Sequence, residues 1–253
     1  MATVADILTF LETLAPASLK MDWDNVGLLC GSKNTEVTKI LVALDPFEGV
    51  CKEAADIGAQ LIVTHHPLIF RAPNTITDET SVGRSIQLLC RHGISAINAH
   101  TNLDVAPGGV NDVLAEKLGL QNIVTLEGGL LRMGEVAEQP LPAFLASVKE
   151  TLGCEGLRYA DGGKCVRKVA VGGGSCAGEM MEAVAAGCDT FVTSDIKYNQ
   201  FWDAQDLGLN LIDAGHFHTE NPIVPVLAEK LQEAFPEIQV EISKTHRDCM
   251  KYY

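Results

Sequence analysis

The stretch Leu61-Ile62-Val63-Thr64-His65-His66-Pro67 joins a short apolar run to two adjacent histidines. The apolar run predicts a β-strand that is buried on both faces. Neighbouring side chains on a regular strand point to opposite faces, but Pro67 indicates a turn directly after the strand, because proline has no N–H to donate to a sheet. We therefore expect His65 and His66 to converge at the carboxyl end of the strand, where open α/β sheets bind ligands. Two neutral imidazoles there suit a transition metal; the alternative is that both cap the strand by bonding loop carbonyls.

The surrounding pattern predicts an α/β fold. An apolar strand at residues 39–44 and a helix opened by Asp45-Pro46 precede the histidine strand, which makes a parallel, right-handed β-α-β unit. A helix from about Ser81 to Arg91 and a strand at residues 94–99 follow. Near the N-terminus, Thr3 predicts the cap of a first, amphipathic helix.

The second half of the chain repeats this order. Strands are predicted at residues 169–171, 190–193 and 209–212, with a helix over residues 179–186. Identical strings support the repeat: Glu53-Ala54 and Glu182-Ala183, Val63-Thr64 and Val192-Thr193, and Val-Leu-Ala-Glu-Lys-Leu at residues 113–118 and 226–231. They predict two related, interlocked α/β domains that arose by internal duplication. We place the first at residues 1–125 and the second at residues 126–253.

In each half a predicted strand is also followed by a histidine, and a carboxylate comes four positions after that histidine. The pairs are His100 with Asp104 and His216 with Glu220. Each carboxylate comes just before a predicted helix start, so we expect both pairs on βα loops and not on one helix face. If the halves face each other, the nitrogen and carboxylate donors are His65, His66, His100, Asp104, His216, His218 and Glu220. This set exceeds what one tetrahedral zinc needs and fits two ions about 3.5–4 Å apart in the cleft between the domains.

Single residues of this set also have structural interpretations. Asp104 would serve as a cap ahead of Pro107, and Glu220 would complement the dipole of a helix that begins at Pro222. Asp24 and Asn25 are explained more simply by an Asx turn. His92 is expected at a helix C-terminus and His246 in solvent. The joint occurrence of the pattern in both halves favours the metal site.

Composition excludes several classes of protein. The net charge of −14 argues against a nucleic-acid surface, which needs a basic stripe. No apolar run is long enough to span a membrane, and the N-terminal helix lacks the basic region of a signal peptide. Eight cysteines without a Cys-x-x-Cys pair are expected to be reduced thiols of a cytoplasmic protein.

Five stretches carry a resemblance to a known family: Trp23-Asp24-Asn25-Val26-Gly27-Leu28, Thr64-His65-His66-Pro67-Leu68, Asn98-Ala99-His100-Thr101-Asn102-Leu103-Asp104, Val171-Gly172-Gly173-Gly174-Ser175, and Asp213-Ala214-Gly215-His216 with Thr219-Glu220. The chain resembles the NIF-three-like dinuclear metal-centre proteins, also known as type 2 homologues of GTP cyclohydrolase I. The resemblance implies two interlocked α/β domains, a two-metal site in a cleft, and ring-shaped homo-oligomers, commonly hexamers.

By this resemblance the metal ligands are His65, His66, Asp104, His216 and Glu220. The resemblance places His100 beside these ligands, where it orients them or handles protons. In a hydrolase, Glu220 or His100 would move protons. The resemblance is weaker at His218, which lies where the family usually varies, and at Cys249-Met250, where a proline-aromatic pair is commoner. Mixed imidazole and carboxylate ligands admit zinc, iron, manganese, cobalt or nickel.

Three functions are compatible with these residues. The first is a metal-dependent hydrolase, in which a hydroxide that bridges two ions attacks a nucleotide-like or phosphorylated small molecule. The second is a non-catalytic, oligomeric metal-binding or protein-interaction module. The third is dinucleotide binding through the glycines of residues 172–174, although a tight strand-to-helix turn explains this pattern more simply.

Overall fold

The computed structural model describes all 253 residues and has a mixed α/β fold with two separate sheets, which confirms the predicted class. The chain divides into two compact units. The first contains Met1–Pro107 and Val224–Arg247, and the second contains Gly108–Ile223 and Asp248–Tyr253. The boundaries of these compact units differ from the single predicted boundary after residue 125. The division of the chain into duplicated halves stays a prediction.

Eleven strands and ten α-helices follow one another along the chain. The strands are β1 (Gly27–Cys30), β2 (Lys39–Ala43), β3 (Leu61–Thr64), β4 (Ser95–Asn98), β5 (Gln121–Thr125), β6 (Arg132–Gln139), β7 (Arg158–Ala160), β8 (Val166–Val171), β9 (Thr190–Thr193), β10 (Asn210–Asp213) and β11 (Gln239–Ile242). The helices are α1 (Val4–Leu14), α2 (Glu48–Asp56), α3 (Ser81–His92), α4 (Thr101–Val105), α5 (Val110–Lys117), α6 (Leu141–Leu152), α7 (Met180–Ala185), α8 (Tyr198–Asp206), α9 (His216–Glu220) and α10 (Ile223–Ala234).

The first unit is built on a five-stranded sheet in the order β1-β4-β3-β2-β11. The strands β4, β3, β2 and β11 are parallel, and β1 pairs antiparallel with β4 at the edge. Ala43, Thr64 and Asn98 are register partners at the carboxyl ends of β2, β3 and β4. The residues that follow these three strands therefore emerge at one edge of the sheet, as the sequence predicts.

Every residue of β3 is buried, in agreement with its apolar sequence. Ile62 packs in one core cluster with Leu41 of β2, Val50 of α2 and Leu89 of α3. The cap of α1 is also as predicted: the Thr3 hydroxyl accepts from the main-chain N–H of Asp6, whose carboxylate accepts from the N–H of Thr3.

The second unit is built on a six-stranded sheet in the order β5-β6-β8-β9-β10-β7. Its central strands β8, β9 and β10 are parallel and the others pair antiparallel. Phe191 and Leu211 pack with residues of α7 and α8, while their neighbours Val192 and Ile212 pack with residues of α5 and α6. Helices therefore cover both faces of the central strands, which explains their continuous apolar sequences.

A buried polar network lies beside this sheet. Arg132 on β6 is 1% exposed, and its guanidinium donates to the Asp112 carboxylate of α5 and to main-chain carbonyls, including that of Leu130. The Asn111 amide donates to the Leu130 carbonyl over 2.9 Å and accepts from the Gly173 N–H over 2.7 Å. The network connects α5 to the turn that follows β8.

The six strands predicted from apolar runs are all present, with ends that move by no more than three residues. The prediction missed β6, α6 and α8, together with the edge strands β5, β7 and β11. All eight cysteines are free, with the sulfur atoms of Cys30 and Cys90 3.9 Å apart. No helix is long and apolar enough to cross a membrane.

The carboxylate of Glu53 on α2 holds the segment that follows β11. It accepts from the Ser243 hydroxyl and from the main-chain N–H groups of Lys244 and Thr245, over 2.5 to 3.2 Å. Burial raises the pKa of Glu53, but these hydrogen bonds outweigh burial and hold the pKa below its ordinary value. Because the folded pKa is depressed, the stabilisation is present above the ordinary carboxyl pKa and is lost as the pH falls through the folded pKa.

We expect Glu53→Gln to lower the free energy of unfolding by about 1–2 kcal/mol at neutral pH, because hydrogen bonds to a charged acceptor are replaced by weaker ones. The loss should shrink in acid, where the wild-type carboxyl is itself protonated. Urea denaturation at both pH values measures the difference. Glu79→Gln, at an exposed position of the same unit, is the control, and an equal loss at both pH values would contradict the assignment.

Candidate metal-binding residues

His65 and His66 follow β3, and both side chains belong to one cluster. The His65 side chain is fully buried, and its Nδ1 donates to the Ala99 carbonyl over 2.9 Å. The Thr64 hydroxyl donates to the His66 carbonyl over 2.7 Å, which fixes the turn after the strand. The two imidazole centroids lie 4.9 Å apart. The predicted convergence is therefore present.

Asp45, which follows β2, connects His66 to the end of the chain. Its Oδ1 accepts from His66 Nδ1 over 2.7 Å, and its Oδ2 accepts from His246 Nε2 over 2.8 Å. Burial raises the pKa of Asp45, but the bonds from His246 and His66 outweigh it and hold the pKa well below its ordinary range. The expectation that His246 faces solvent was wrong: its side chain is 4% exposed, and its ring stacks on Phe47.

Asp24 holds His100 in a similar way. The Asp24 carboxylate accepts from His100 Nδ1 over 2.8 Å, and from the main-chain N–H and hydroxyl of Thr101 over 3.0 and 2.5 Å. Burial raises the pKa of Asp24, but these bonds outweigh burial and depress it. Asp24 also accepts locally, from the main-chain N–H of Asn25 over 2.7 Å, but a local turn does not explain its bonds to His100 and Thr101, which lie more than 70 residues away in the sequence.

His65, His66 and His100 together form a group in the first unit that could hold a metal ion. One nitrogen from each ring lies within 4.8 Å of the others. Asp104 on α4 adds a carboxylate, with its Oδ1 3.5 Å from His65 Nε2. Each Nδ1 donates to a carboxylate or a carbonyl, so each imidazole in its neutral form carries its lone pair on Nε2. Hydrogen bonding of this kind fixes the orientation of metal-binding histidines in proteins.

The second unit holds the other predicted pair. His216 and Glu220 are the first and last residues of α9, and His216 Nε2 lies 3.0 Å from Glu220 Oε2. The expectation that both histidine-carboxylate pairs lie on loops was wrong for His216 and Glu220, which lie within the five-residue helix α9. Asp104 lies on the five-residue helix α4, and His100 is the residue directly before that helix. Neither helix has the continuous apolar spacing by which longer helices are recognised.

Asp195 orients His216 and was not predicted. Its Oδ2 accepts from His216 Nδ1 over 2.7 Å. Burial lowers the pKa of His216, but hydrogen bonds to Asp195 and Glu220 outweigh burial and raise it to about 10. A metal that binds His216 must therefore displace a proton. Asp195 also has a φ of +53°, a backbone conformation that non-glycine residues rarely adopt and that is enriched at functional sites.

The glycine turn after β8 lies against the pair His216 and Glu220, and its N–H groups are not arranged to bind a phosphate. The Gly173 N–H donates to Asn111 and the Gly174 N–H donates to the Thr219 hydroxyl, over 2.7 and 3.0 Å. Gly174 has a φ of +63°, and a Cβ there would overlap Glu220 Oε1. Since both N–H groups have partners within the protein, the structure favours the tight turn over dinucleotide binding.

Two further histidines have structural partners. His218 Nδ1 lies 3.1 Å from the Leu152 carbonyl, and its Nε2 lies 3.1 Å from Asp248 Oδ2. Both ring nitrogens therefore lie beside oxygen atoms of the protein, which accounts for this histidine without a metal. His92 is the last residue of α3, as predicted.

Comparisons with known proteins agree with one another. The sequence model of Duf34/NIF3 (NGG1p interacting factor 3) matches residues 2–249. A Clostridium perfringens relative called "GTP cyclohydrolase 1 type 2 homolog" is 38% identical over 98% of both chains. A Helicobacter pylori relative called "GTP cyclohydrolase 1 type 2" is 33% identical over 91% of this chain and 92% of its own. The crystal structure of a hypothetical protein of Staphylococcus aureus has a TM-score of 0.94 and 32% identity, and covers 100% of this chain and 99% of its own.

Proposed function

This chain belongs to the Duf34/NIF3 family, and on that premise we propose that it is a metal-dependent hydrolase of nucleotide-like or phosphorylated small molecules. The proposed metal ligands are His65, His66, Asp104, His216 and Glu220, which hold two divalent ions. The observation that carries the proposal is the convergence of three imidazoles in the first unit, with one nitrogen of each within 4.8 Å of the others.

The hydrogen bonds around these histidines support the proposal. His66, His100 and His216 each donate from Nδ1 to a carboxylate, over 2.7 to 2.8 Å. A capping histidine needs one partner at most, whereas a carboxylate on Nδ1 selects the tautomer that presents Nε2 and makes that nitrogen more basic. At His66 and His216, two of the proposed ligands, this arrangement is typical of metal-binding histidines.

Two bound divalent ions supply a water of lowered pKa and positive charge that stabilises an anionic transition state. The chain's own residues position the reactants and move protons. We assign the proton-handling roles to His100 and Glu220. The Asp24 carboxylate keeps His100 in one orientation, and Glu220, at the end of α9, accepts or returns a proton through its carboxylate. The name of the Helicobacter pylori relative favours a nucleotide as the substrate.

Metal content tests this proposal first. Protein purified without chelator should hold about two equivalents of zinc, iron, manganese, cobalt or nickel by elemental analysis, and His65→Ala and His216→Ala should each lose metal. His92→Ala, which removes an exposed histidine of α3, is the matched control and should keep the wild-type content. Wild-type content in both site variants would overturn the ligand assignment.

Turnover tests the hydrolase role. The metal-loaded protein should hydrolyse at least one compound of a panel of nucleoside triphosphates and phosphate esters, and His65→Ala should lose that activity. The proposed metal-binding or protein-interaction module without catalysis is the second candidate, and it is supported by the family description as an interacting factor. Stoichiometric metal without turnover of any compound would favour this second candidate.

We expect Asp195→Asn to weaken metal binding about 10- to 100-fold, the usual effect of losing a carboxylate that orients a metal-binding histidine. The amide keeps the size of the side chain but is a weaker acceptor for His216 Nδ1. Titration with a competing chelator measures the affinity. Asp206→Asn, at an exposed position of the same unit, should leave it unchanged, and equal affinities in the two variants would count against the role of Asp195.

A further inference from the structure

Two exposed aromatic residues form a pocket in the first unit. Trp23 is 63% exposed and Phe70 is 45% exposed, and their rings meet edge to face with centroids 5.8 Å apart. Together with Arg71 they line a cavity of about 310 Å³. Clusters of large, exposed aromatic side chains often mark binding sites. The cavity volume is in the range of pockets that hold small ligands.

The pocket adjoins the imidazole cluster. The rings of Trp23 and Phe70 both lie edge-on to His100, with centroid distances of 6.3 and 6.1 Å. A ligand that contacts both aromatic rings is therefore placed next to a residue to which we assign proton handling. No residue of the pocket is among the proposed metal ligands.

The pocket walls are held in place by hydrogen bonds. The Asn25 side-chain amide donates to the Ile69 carbonyl over 2.6 Å, which ties the loop of Trp23 to the loop of Phe70. The Asn98 amide donates to the Asn25 carbonyl over 3.1 Å, which ties the first loop to β4. The two aromatic rings therefore project from a preorganised frame, and preorganisation reduces the entropic cost of binding.

The chemistry of the lining identifies the ligand class. Aromatic side chains bind planar rings by stacking, independently of which base is present. The Arg71 guanidinium is exposed and forms no ion pair with an acidic residue of the chain, and guanidinium groups bind phosphate through paired hydrogen bonds. We propose that this pocket binds the base of a nucleotide by stacking on the exposed rings of Trp23 and Phe70, with its phosphate at Arg71. The inference rests on the proposed function for the role of this nucleotide as the substrate.

The chain has only two tryptophans, Trp23 and Trp202, so the pocket can be observed directly. In the Trp202→Phe variant, Trp23 is the only tryptophan. Titration of this full-length, metal-loaded variant with GMP, and separately with AMP, should quench its fluorescence to saturation. Trp23→Phe, in which Trp202 alone reports, should show no saturable change. Saturation by ribose 5-phosphate to the same extent, or no saturable change with either nucleotide, would overturn the inference.

Variants separate the two parts of the pocket. In the Trp202→Phe background, Phe70→Ala should weaken GMP binding about 5- to 100-fold, the range for the loss of one stacking partner, and Tyr198→Ala, at an exposed aromatic of α8, should not. Arg71→Ala should remove the advantage of GMP over guanosine, while Arg91→Ala should keep it. Equal effects of each variant and its control would overturn the assignment of that residue.

The outcomes also separate this inference from the proposed function. Saturable nucleotide binding at Trp23 without turnover would retain the pocket and reject the hydrolase. Turnover with no change at Trp23 on substrate binding would retain the hydrolase and reject the pocket.

Discussion

Gly174→Ala is expected to abolish high-affinity metal binding in the second unit. The added Cβ would overlap Glu220 Oε1 and lie 3.2 Å from His216 Nε2, so both proposed ligands would have to move. A displacement of this size removes ligands from a metal site instead of merely weakening their bonds to the metal. We therefore expect the metal affinity to fall by at least the 10- to 100-fold that is usual for the loss of an orienting residue. The free energy of unfolding should also fall by about 1–3 kcal/mol from overpacking.

The matched control for this variant is Gly163→Ala. Gly163 belongs to the same unit and also has a positive φ, of +75°, but a Cβ there would contact nothing within 4 Å. Both variants carry the backbone strain of alanine at positive φ, and only Gly174→Ala carries the collision with Glu220. Chelator competition and urea denaturation of the two proteins measure the difference. Equal metal affinities would mean that the turn does not need a glycine to accommodate the carboxylate.

Asp112→Ala should be among the most destabilising single substitutions in the chain. It leaves the buried Arg132 guanidinium without its carboxylate, and breaking a buried ion pair in this way costs about 3–5 kcal/mol. The Gly108 N–H also loses its acceptor, because it donates to Asp112 over 2.6 Å. Urea denaturation should report this loss, and the Asn111 contact to the Gly173 turn should weaken with it.

The double variant that combines Arg132→Met with Asp112→Ala is the informative comparison for Asp112→Ala. Removing both charges avoids an uncompensated buried ion, so the double variant should be more stable than Asp112→Ala alone. If the double variant is less stable than Asp112→Ala, the guanidinium must contribute more through its carbonyl bonds than through Asp112. Asp161→Ala, at an exposed position of the second unit, controls for the loss of an aspartate.

Sequence patterns predicted the central parallel strands β2, β3, β4, β8, β9 and β10 because their apolar runs are continuous and end in turn residues. The segment between residues 126 and 166 was not predicted, since β6 is only half-buried and shows no clear alternation. The histidine-carboxylate helices α4 and α9 were missed because five residues are too few to show a helical period. The internal duplication, the hexamer and the cytoplasmic location stay predictions.

The donor residues were easier to predict than the residues that orient them. Histidines at strand ends have a local signature, whereas Asp24 and Asp45 are distant in sequence from the rings they hold. Asp195 had an available signal: at the offset that aligns Val63-Thr64 with Val192-Thr193, it occupies the position of His66. Because Asp195 and His66 are different residues, the identical strings of the two halves do not include this position.

The order in which the chain is synthesised bears on His66. The ribosome releases the segment up to Pro107 more than one hundred residues before it releases β11 and His246, which belong to the same compact unit. Until that late segment docks, Asp45 lacks one of its two histidine partners and the edge of the first sheet lacks its last strand. A nascent or truncated chain therefore cannot hold His66 as the finished protein does. If His66 binds metal as proposed, the complete site would form only after translation ends.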